Sequence, residues 1–425
     1  MSTKALCTKA LRLYGKNDLR LEEFTLPPLA EDEILAQVIS DSICMSSYKA
    51  AIQGTAHKRV PDDAGQNPVI IGHEFCGRII EAGAKWRGQW RPGMKFAIQP
   101  AINYQGPLDV ALPYTSLAAP GYSFRYLGGC ATYIIIPGMF MEEGCLLPYE
   151  GEAFFHGSLA EPMSCIVGAF HASYHTAVGS YAHEMGVAPG GSMAILAGAG
   201  PMGLGAVQYA VACDRKPGLL VVTDIDEARL ARAEKLLSTK AAEQQGVRLL
   251  YVNTSNINDP VGYLKSFTGG AGYDDVFVFA PVRPLVELGD ALLGRDGCLN
   301  FFAGPTTPDF SAAFNFYNVH YASTHIAGTS GGNTADMLES IRMMEQGRID
   351  PAAMITHVGG LDAAADTTLR LPEIPGGKKL IYTGISLPLT PIADFTGELG
   401  KMIQANKGLW CARAEEYLLE HGKGI

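Results

Sequence analysis

The sequence has no closely spaced cysteine pair, although it contains nine cysteines. The nine are scattered, none forms a C-x-x-C motif, and their number is odd. A disulfide framework is therefore not expected, and a reducing, cytoplasmic location is favoured. A further absence concerns the first twelve residues, which have no apolar core of the kind a signal peptide needs, so we expect no secretion signal.

Basic clusters are scarce as well. The chain of 425 residues has 43 acidic against 33 basic side chains, a net charge of −10, and its longest basic cluster is His57-Lys58-Arg59. This balance argues against nucleic-acid partners and against binding to anionic membranes. The uncharged stretch from Val187 to Cys213 is long enough for a membrane helix, but many glycines interrupt it. It reads better as strand, turn and buried helix, and no membrane partner is expected.

The pattern changes near Val187. Before about residue 165, short β-like runs alternate with turns, which is typical of an antiparallel, barrel-like region. After Val187, strands alternate with helices, which predicts a doubly wound parallel sheet. We therefore predict an α/β protein with a β-rich catalytic domain at 1–175, a dinucleotide-binding domain at 176–328, and a return to the catalytic domain plus a mostly helical tail at 329–425.

A glycine motif marks the nucleotide domain. Gly198-x-Gly200-x-x-Gly203 follows a predicted strand and opens a predicted helix, whose first residues are Pro201 and Met202. The glycines would allow a tight turn, close approach of a pyrophosphate, and close packing of helix on strand. The helix N-terminus would offer free N–H groups to the phosphates.

Asp224 ends the next predicted strand, at the separation of about 20 residues expected for a ribose-binding acid. A carboxylate there accepts ribose hydroxyls and repels a 2′-phosphate, which favours NAD(H) over NADP(H). Arg229, on the following helix, could flank the adenine. The alternative is a glycine-rich turn in an unrelated α/β fold, with Asp224 starting a helix.

Ionisable residues in apolar surroundings suggest a metal site. His73 and Glu74 interrupt an apolar run, Cys44 follows a predicted strand, and Glu161 lies among small and apolar residues. A thiolate, an imidazole and one or two carboxylates suit a catalytic Zn²⁺ site that keeps one position open. Each residue also has a structural alternative: a buried cysteine, a core histidine, or a helix-capping glutamate.

These motifs together resemble the zinc-dependent medium-chain alcohol and polyol dehydrogenases. The segments "GHEFCG", "GGCATYIIIP", "AEPMSC" and "GAGPMG" carry the resemblance, which covers roughly residues 5–385. The resemblance implies a GroES-like β-rich catalytic domain, a Rossmann domain, and a homo-oligomer, either a dimer or a tetramer. It also implies that Ala280 and Ala303, after two strand ends, flank the nicotinamide ring.

The resemblance implies a role for each site residue. Cys44 and His73 would be zinc ligands. Glu74 would be a ligand or support the ligands, and Glu161 would be a ligand or hold the zinc-bound water; the two glutamate roles stay open. Ser46 would take the proton of the substrate hydroxyl. Lys49 stands where many members have a proton-relaying histidine, so it is a candidate for that task.

The sequence departs from the family pattern elsewhere. The stretch from about Ala97 to Gly129 has no cysteine, so we expect one catalytic zinc and no structural zinc. The tail after about Ser386 looks additional. A narrower likeness is to the L-sorbose 1-phosphate reductase branch, which implies reduction of a ketose phosphate to a hexitol phosphate.

A phosphorylated substrate would need cations, and Lys49, His57, Lys58 and Arg59 are nearest in sequence to the zinc ligands. For residues 57–59 an ordinary solvated loop is the favoured alternative. Three other functions stay open: a dehydrogenase of unphosphorylated polyols, a zinc-free enone or quinone reductase, and an NAD-binding sensor without activity.

Overall fold

The computed structural model describes residues 6–100, 102 and 118–425. The chain forms two units. The first comprises Met1–Pro162, Ser340–Gln346 and Ile355–Ile425, and the second comprises Met163–Glu339 and Gly347–Met354. In the part of the chain that the structure describes, no helix is long and apolar enough to cross a membrane.

The first unit is built on an eight-stranded, mainly antiparallel sheet and a three-stranded sheet. The larger sheet has the order β19-β17-β18-β3-β5-β6-β8, with β7 also paired to β3, and the smaller has the order β2-β1-β4. The strands are β1 (Cys7–Gly15), β2 (Asp18–Thr25), β3 (Ile34–Ile43), β4 (Val69–Ile70), β5 (Phe75–Ala82), β6 (Lys95–Ile98), β7 (Tyr133–Ile136), β8 (Leu146–Pro148), β17 (Ile355–Gly360), β18 (Lys378–Tyr382) and β19 (Thr390–Pro391).

Short helices accompany these strands. They are α1 (Met45–Gln53), α2 (Gly138–Glu142), the start of α3 (Phe154–Ala172), the end of α10 (Thr334–Glu345), α11 (Ala364–Leu369), α12 (Gly397–Ala405) and α13 (Ala412–His421). Helices α12 and α13 confirm the prediction of a mostly helical tail. Apolar side chains from β3, β5, β6 and β7 form one buried cluster of the unit, in agreement with the β-like runs read from the sequence.

The second unit contains a six-stranded parallel sheet with the order β13-β12-β11-β14-β15-β16. In chain order this is 3-2-1-4-5-6, the doubly wound arrangement that binds dinucleotides where the strand order reverses. Its strands are β11 (Ser192–Leu196), β12 (Leu219–Asp224), β13 (Arg248–Asn253), β14 (Tyr273–Val278), β15 (Leu293–Phe301) and β16 (His325–Ala327), with a separate hairpin of β9 (Tyr174–Thr176) and β10 (His183–Met185).

Helices α4 (Pro201–Ala212), α5 (Glu227–Leu236), α6 (Thr239–Gln244), α7 (Pro260–Ser266), α8 (Arg283–Leu292) and α9 (Phe316–Tyr321) complete the second unit. The predicted alternation of strands and helices is confirmed. Strand β15 begins at Leu293, but its pairing with β14 is irregular before Cys298: Leu293 lies opposite Tyr273 and Cys298 opposite Asp275, so four residues of β15 face one of β14, and Asp296 has a φ of +60°.

Candidate active site

Three neighbouring strands, β18, β3 and β5, have termini that lie together at the same end of the large sheet. Because β3 runs antiparallel to both β5 and β18, its last residues lie beside the first residues of the other two strands: Asp41 is opposite Phe75 and Ile43 is opposite Lys379. Residues that follow β3, precede β5 or begin β18 therefore come together, although they are far apart in the sequence. These residues are Cys44, the pair His73-Glu74, and Lys378.

Cys44, His73 and Glu74 form a compact group. One ligand atom from each, the thiol sulfur, a ring nitrogen and a carboxylate oxygen, lies within 4.8 Å of the other two. In the described residues this is the one group of three or more such side chains whose ligand atoms are close enough for a metal ion. A spread of this size suits tetrahedral zinc, whose bonds to nitrogen, oxygen and sulfur are about 2.0–2.3 Å long.

Glu74 has two further partners. The ammonium of Lys378 forms a salt bridge with Oε1, and the hydroxyl of Ser42 donates to Oε2. The Glu74 side chain is 1% exposed and that of Lys378 is 7% exposed, so the pair is buried. Burial opposes ionisation of both groups, but the attraction between them outweighs it, so the pKa of Glu74 is lowered and that of Lys378 is raised.

The turn before His73 is fixed by a buried aspartate. Oδ1 of Asp41 accepts the backbone N–H of Glu74 at 3.2 Å, and Oδ2 accepts the thiol of Cys130 at 3.1 Å. Gly72 has φ of +95°, and a Cβ there would lie 2.1 Å from Oδ2 of Asp41, so no larger residue fits. Burial raises the pKa of Asp41 to about 7. The close approach of Asp41 therefore explains why the first residue of "GHEFCG", Gly72, is a glycine.

His73 lies against Tyr122 and Ser47. The Tyr122 hydroxyl is 3.1 Å from Nδ1 and 3.3 Å from Nε2 of His73, and the Ser47 hydroxyl is 3.4 Å from Nδ1. Ser46 is also in this group: its hydroxyl accepts from the Cys44 thiol at 3.6 Å and is hydrogen-bonded to Tyr122. The predicted proton-transfer residue thus lies beside a predicted zinc ligand.

Glu161 is buried on α3, where the charges of His73, Glu74 and Cys44 act on its carboxyl group. Burial raises its pKa to about 7, His73 opposes the shift, and the charges of Glu74 and Cys44 add to it. Cys44 responds in the same way, because burial raises the pKa of its thiol and the ammonium of Lys378 opposes that shift. A bound cation would favour the ionised forms of both groups.

The start of α3 is capped from the C-terminal tail. The carboxylate of Glu415 accepts the backbone N–H groups of Phe154 at 2.6 Å and Phe155 at 2.9 Å. It also accepts the hydroxyl of Tyr382, which in turn accepts the indole N–H of Trp410 at 2.7 Å. The helix that carries Glu161 therefore begins on a buried carboxylate of α13.

The residues present fit a zinc ion, because a thiol, an imidazole and a carboxylate converge with a second carboxylate coupled to them. Sequence reasoning missed Lys378, Tyr122, Ser42 and Asp41. The signal for Lys378 was available: two lysines stand next to each other at the start of an otherwise apolar strand. About half of the stretch in which we predicted no structural zinc lies outside the described residues, and that absence stays a prediction.

The glycine turn has the geometry that its motif predicts. A Cβ on Gly203 would lie 2.3 Å from the carbonyl oxygen of Gly198, so helix α4 packs directly on the turn. A Cβ on Gly200 would meet no atom within 4 Å, which leaves open space beside the backbone. Helix α4 begins at Pro201 and Met202 without a side-chain cap, so its first N–H groups are available to a phosphate.

Asp224 joins the turn to the end of β12. Its Oδ2 accepts the N–H of Ala199 at 3.3 Å, and its Oδ1 accepts those of Ile225 and Asp226 at 2.8 and 3.1 Å. Oδ2 accepts only one of these N–H groups and keeps a second lone pair, so the group can still accept a ribose hydroxyl. Arg229 is in the first turn of α5, 3.6 Å from Asp226 and largely exposed.

Ala280 and Ala303 lie just past the carboxyl ends of β14 and β15. The N–H of Ala303 donates to the carbonyl of Val278 at 3.1 Å, and the rings of Phe279 and Phe302 stack with centroids 4.5 Å apart. Both alanines are at the edge of the sheet where ligands of doubly wound folds bind. Their contact with a nicotinamide ring stays a prediction.

Two family models match this chain. The alcohol dehydrogenase GroES-like domain matches residues 30–143, and the zinc-binding dehydrogenase domain matches residues 201–346. Among solved structures, an alcohol dehydrogenase from Thermotoga maritima has a TM-score of 0.70 at 19% identity and covers 89% of this chain and 99% of its own. That likeness confirms the predicted fold, a GroES-like domain with a Rossmann domain.

Two curated relatives cover nearly the whole chain. The mannitol-1-phosphate 5-dehydrogenase of Aliivibrio fischeri is 52% identical over 422 residues, 97% of each chain. The L-sorbose 1-phosphate reductase of Klebsiella pneumoniae is 48% identical over 419 residues, 98% of each chain. Together with the two family matches, these relatives show that the protein belongs to the zinc-binding, GroES-like alcohol dehydrogenase family of oxidoreductases, which use zinc and a nicotinamide cofactor.

Proposed function

We propose that this enzyme transfers a hydride between NAD(H) and a sugar phosphate, with L-sorbose 1-phosphate reduced to glucitol 6-phosphate as the leading reaction. The observation that carries the proposal is the Cys44–His73–Glu74 group, in a chain about half identical to two relatives whose names specify phosphorylated sugars or polyols. An unphosphorylated polyol as substrate is the outcome that the experiment below must exclude.

Cys44, His73 and Glu74 would hold the zinc, and Glu161 would face it from α3. Glu74 is the better candidate for the third protein ligand, because its oxygen lies within 4.8 Å of the ligand atoms of the other two residues. The bridge from Lys378 and the hydrogen bond from Ser42 would orient this carboxylate, as partners behind metal ligands commonly do.

Bound zinc would polarise the substrate oxygen, and the nicotinamide would supply or accept the hydride. The residues of the chain move the proton. The Ser46 hydroxyl would donate a proton to the developing alkoxide during reduction and recover it from the hydroxyl of Tyr122, to which it is hydrogen-bonded. Lys49, three residues later on α1, would complete the path to water.

The choice of NAD(H) rests on Asp224. Its carboxylate is held at the end of β12 by three backbone N–H groups, so it cannot turn away from a ribose bound there. A 2′-phosphate at that place would meet a fixed negative charge. A homo-oligomer is supported by strand β16, which among the described residues pairs with β15 alone and so forms an edge of the sheet, and by exposed aromatic side chains of helix α9 in the same unit.

The test compares initial rates of NADH oxidation with L-sorbose 1-phosphate and with L-sorbose at equal concentration, and measures zinc content in parallel. Much faster turnover of the phosphate supports the proposal. Equal rates, or a preference for the free sugar, would leave a general polyol dehydrogenase. Oxidation of mannitol 1-phosphate with NAD+ is measured beside these to separate the two substrates that the relatives suggest.

Two cysteine variants connect the activity to the metal site. Cys44→Ser should lose most bound zinc and nearly all turnover, because a hydroxyl is a much weaker zinc ligand than a thiolate. Cys7→Ser is the matched control, because Cys7 is an exposed cysteine on β1, and it should retain both zinc and activity. Full zinc and full turnover in Cys44→Ser would contradict the assignment of the site.

A further inference from the structure

Tyr122 connects the predicted metal ligands to a basic loop. On one side, Tyr122 contacts His73: the two ring centroids are 4.9 Å apart, and the Tyr122 hydroxyl is within hydrogen-bond distance of the His73 ring nitrogens. On the other side, the ring of His57 stacks nearly parallel to the phenol ring, with centroids 5.6 Å apart and an interplanar angle of 11°. The loop that contains His57 is therefore only one aromatic ring removed from the metal site.

A hydrogen bond also joins the backbone of this loop to Ser123, the residue after Tyr122. The hydroxyl of Ser123 donates to the carbonyl of Arg59 at 2.8 Å, and the N–H of Arg59 points to Nδ1 of His57 at 3.3 Å. The guanidinium carbon of Arg59 lies 5.9 Å from the centroid of the Tyr122 ring. The structure thus argues against an ordinary solvated loop, since two of its three basic residues pack on a buried tyrosine.

Positive charge is concentrated here, in a chain whose net charge is −10. Burial lowers the pKa of His57 to about 4, and the positive charges of Arg59, Lys58 and Lys49 act in the same direction. The nearby acidic residue Asp63 is engaged by Asn67 at 2.6 Å and by Arg125 at 3.6 Å.

Lys49 places a positive charge near Ser46, the residue proposed to transfer the proton. Residues three apart on a helix are neighbours, with about 5–6 Å between their Cβ atoms, so Lys49 shares a face of α1 with Ser46. Ser46 contacts both Cys44 and Tyr122. A substrate whose reacting carbon lies near Ser46 would therefore have cations within the length of a sugar chain.

We propose that Lys58 and Arg59, beside the stacked rings of His57 and Tyr122, bind the phosphate group of the substrate, while Lys49 keeps its place in the proton path. This assignment rests on the proposed function and specifies its substrate class as a phosphate monoester of a ketose or polyol. A phosphate dianion needs more than one cationic donor; a guanidinium offers paired N–H groups and an ammonium a point charge. The neutral His57 serves as the flat support between them.

The experiment measures how strongly the enzyme prefers L-sorbose 1-phosphate to L-sorbose, as a ratio of kcat/KM values. Arg59→Gln and Lys58→Gln should each lower this ratio at least about ten-fold, since a charge-assisted hydrogen bond to phosphate is lost. Arg59→Lys should retain an intermediate ratio because it keeps the charge. Inorganic phosphate should inhibit the native enzyme in competition with the sugar phosphate, and inhibit both Gln variants more weakly.

Lys85→Gln is the matched control, because Lys85 is an exposed lysine that is paired with Glu142 outside this cluster, and its ratio should not change. The KM for NADH is measured in every variant, and a rise in that value instead would assign the cations to the cofactor and overturn the proposal. If the native enzyme prefers the phosphate and both Gln variants keep that preference, the phosphate site is wrong while the proposed function stands. If the native enzyme has no preference, the proposed sugar-phosphate activity itself fails.

Discussion

The candidate metal site and the glycine turn are built on opposite principles. At the candidate metal site, buried charged and polar side chains neutralise one another: Glu74 is held by Lys378 and Ser42, and lies beside Cys44 and His73. At the turn of the second unit, the features that suit a phosphate are uncapped backbone N–H groups and missing side chains. Because a buried charge without its partner is costly, we expect a substitution at the candidate metal site to change stability and activity together. At the turn, a single substitution can change one of the two without the other.

The largest effect should come from removing the partner of Glu74. Lys378→Met leaves a buried carboxylate without its counterion, and we expect the free energy of unfolding to fall by about 3–5 kcal/mol. Urea unfolding followed by circular dichroism measures this change. Glu74→Gln combined with Lys378→Met should recover part of the loss, because no unpaired charge remains.

The control for this variant is Lys401→Met, which removes an exposed bridge to Glu398 and should leave the free energy of unfolding almost unchanged, because exposed ion pairs contribute little. If Lys378→Met unfolds at the same urea concentration as the native enzyme, the metal site is not the interdependent network described here.

Gly203→Ala should give the next largest effect, and it tests packing at the turn. The added methyl group would lie 2.3 Å from the carbonyl oxygen of Gly198, so the helix or the turn must shift. We expect a loss of about 1–3 kcal/mol in the free energy of unfolding, together with a higher KM for NADH. Thermal unfolding and steady-state kinetics check the two parts, and unchanged values for both would show that the close contact does not constrain the turn.

Asp224→Asn should change cofactor choice more than stability. The amide oxygen can still accept a backbone N–H, but the negative charge that would oppose a 2′-phosphate is gone. The ratio of kcat/KM for NADH over NADPH should fall about ten-fold, which corresponds to about 1.4 kcal/mol. A constant ratio would assign the discrimination to another residue.

Gly200→Ala should have the smallest effect on folding. The new methyl group would meet open space, so the change in the free energy of unfolding should stay within about 0.5 kcal/mol. The KM for NADH should nevertheless rise several-fold, because the pyrophosphate would have to approach that methyl group. Unchanged KM would mean that the cofactor does not pass close to this residue, and the contrast with Gly203 would then concern packing alone.

The same contrast explains which parts of the molecule were predictable from sequence. The turn at 198–203 and the acid at 224 are short-range motifs, and β11, α4 and β12 formed where their pattern indicated. Cys44, His73 and Glu74 could be singled out because ionisable residues are conspicuous in apolar runs, and the structure brings their ligand atoms within 4.8 Å of one another. Their role as metal ligands stays a prediction. Lys378 and Tyr122 were missed because strand pairing and loop packing bring them to the site, and no local pattern records such long-range contacts.

The cap that Glu415 places on α3 has a consequence for the order of events during synthesis. Phe154 and Glu415 are 261 residues apart, so the N–H groups that begin the helix of Glu161 leave the ribosome long before their acceptor is made. Strand β18, which supplies Lys378, is also made late. The large sheet therefore stays incomplete beside β3 until translation is nearly finished. Contacts of such long range are also slow to form. We infer that the second unit, whose sheet contacts are more local, completes its fold before the first unit, which contains the proposed metal ligands.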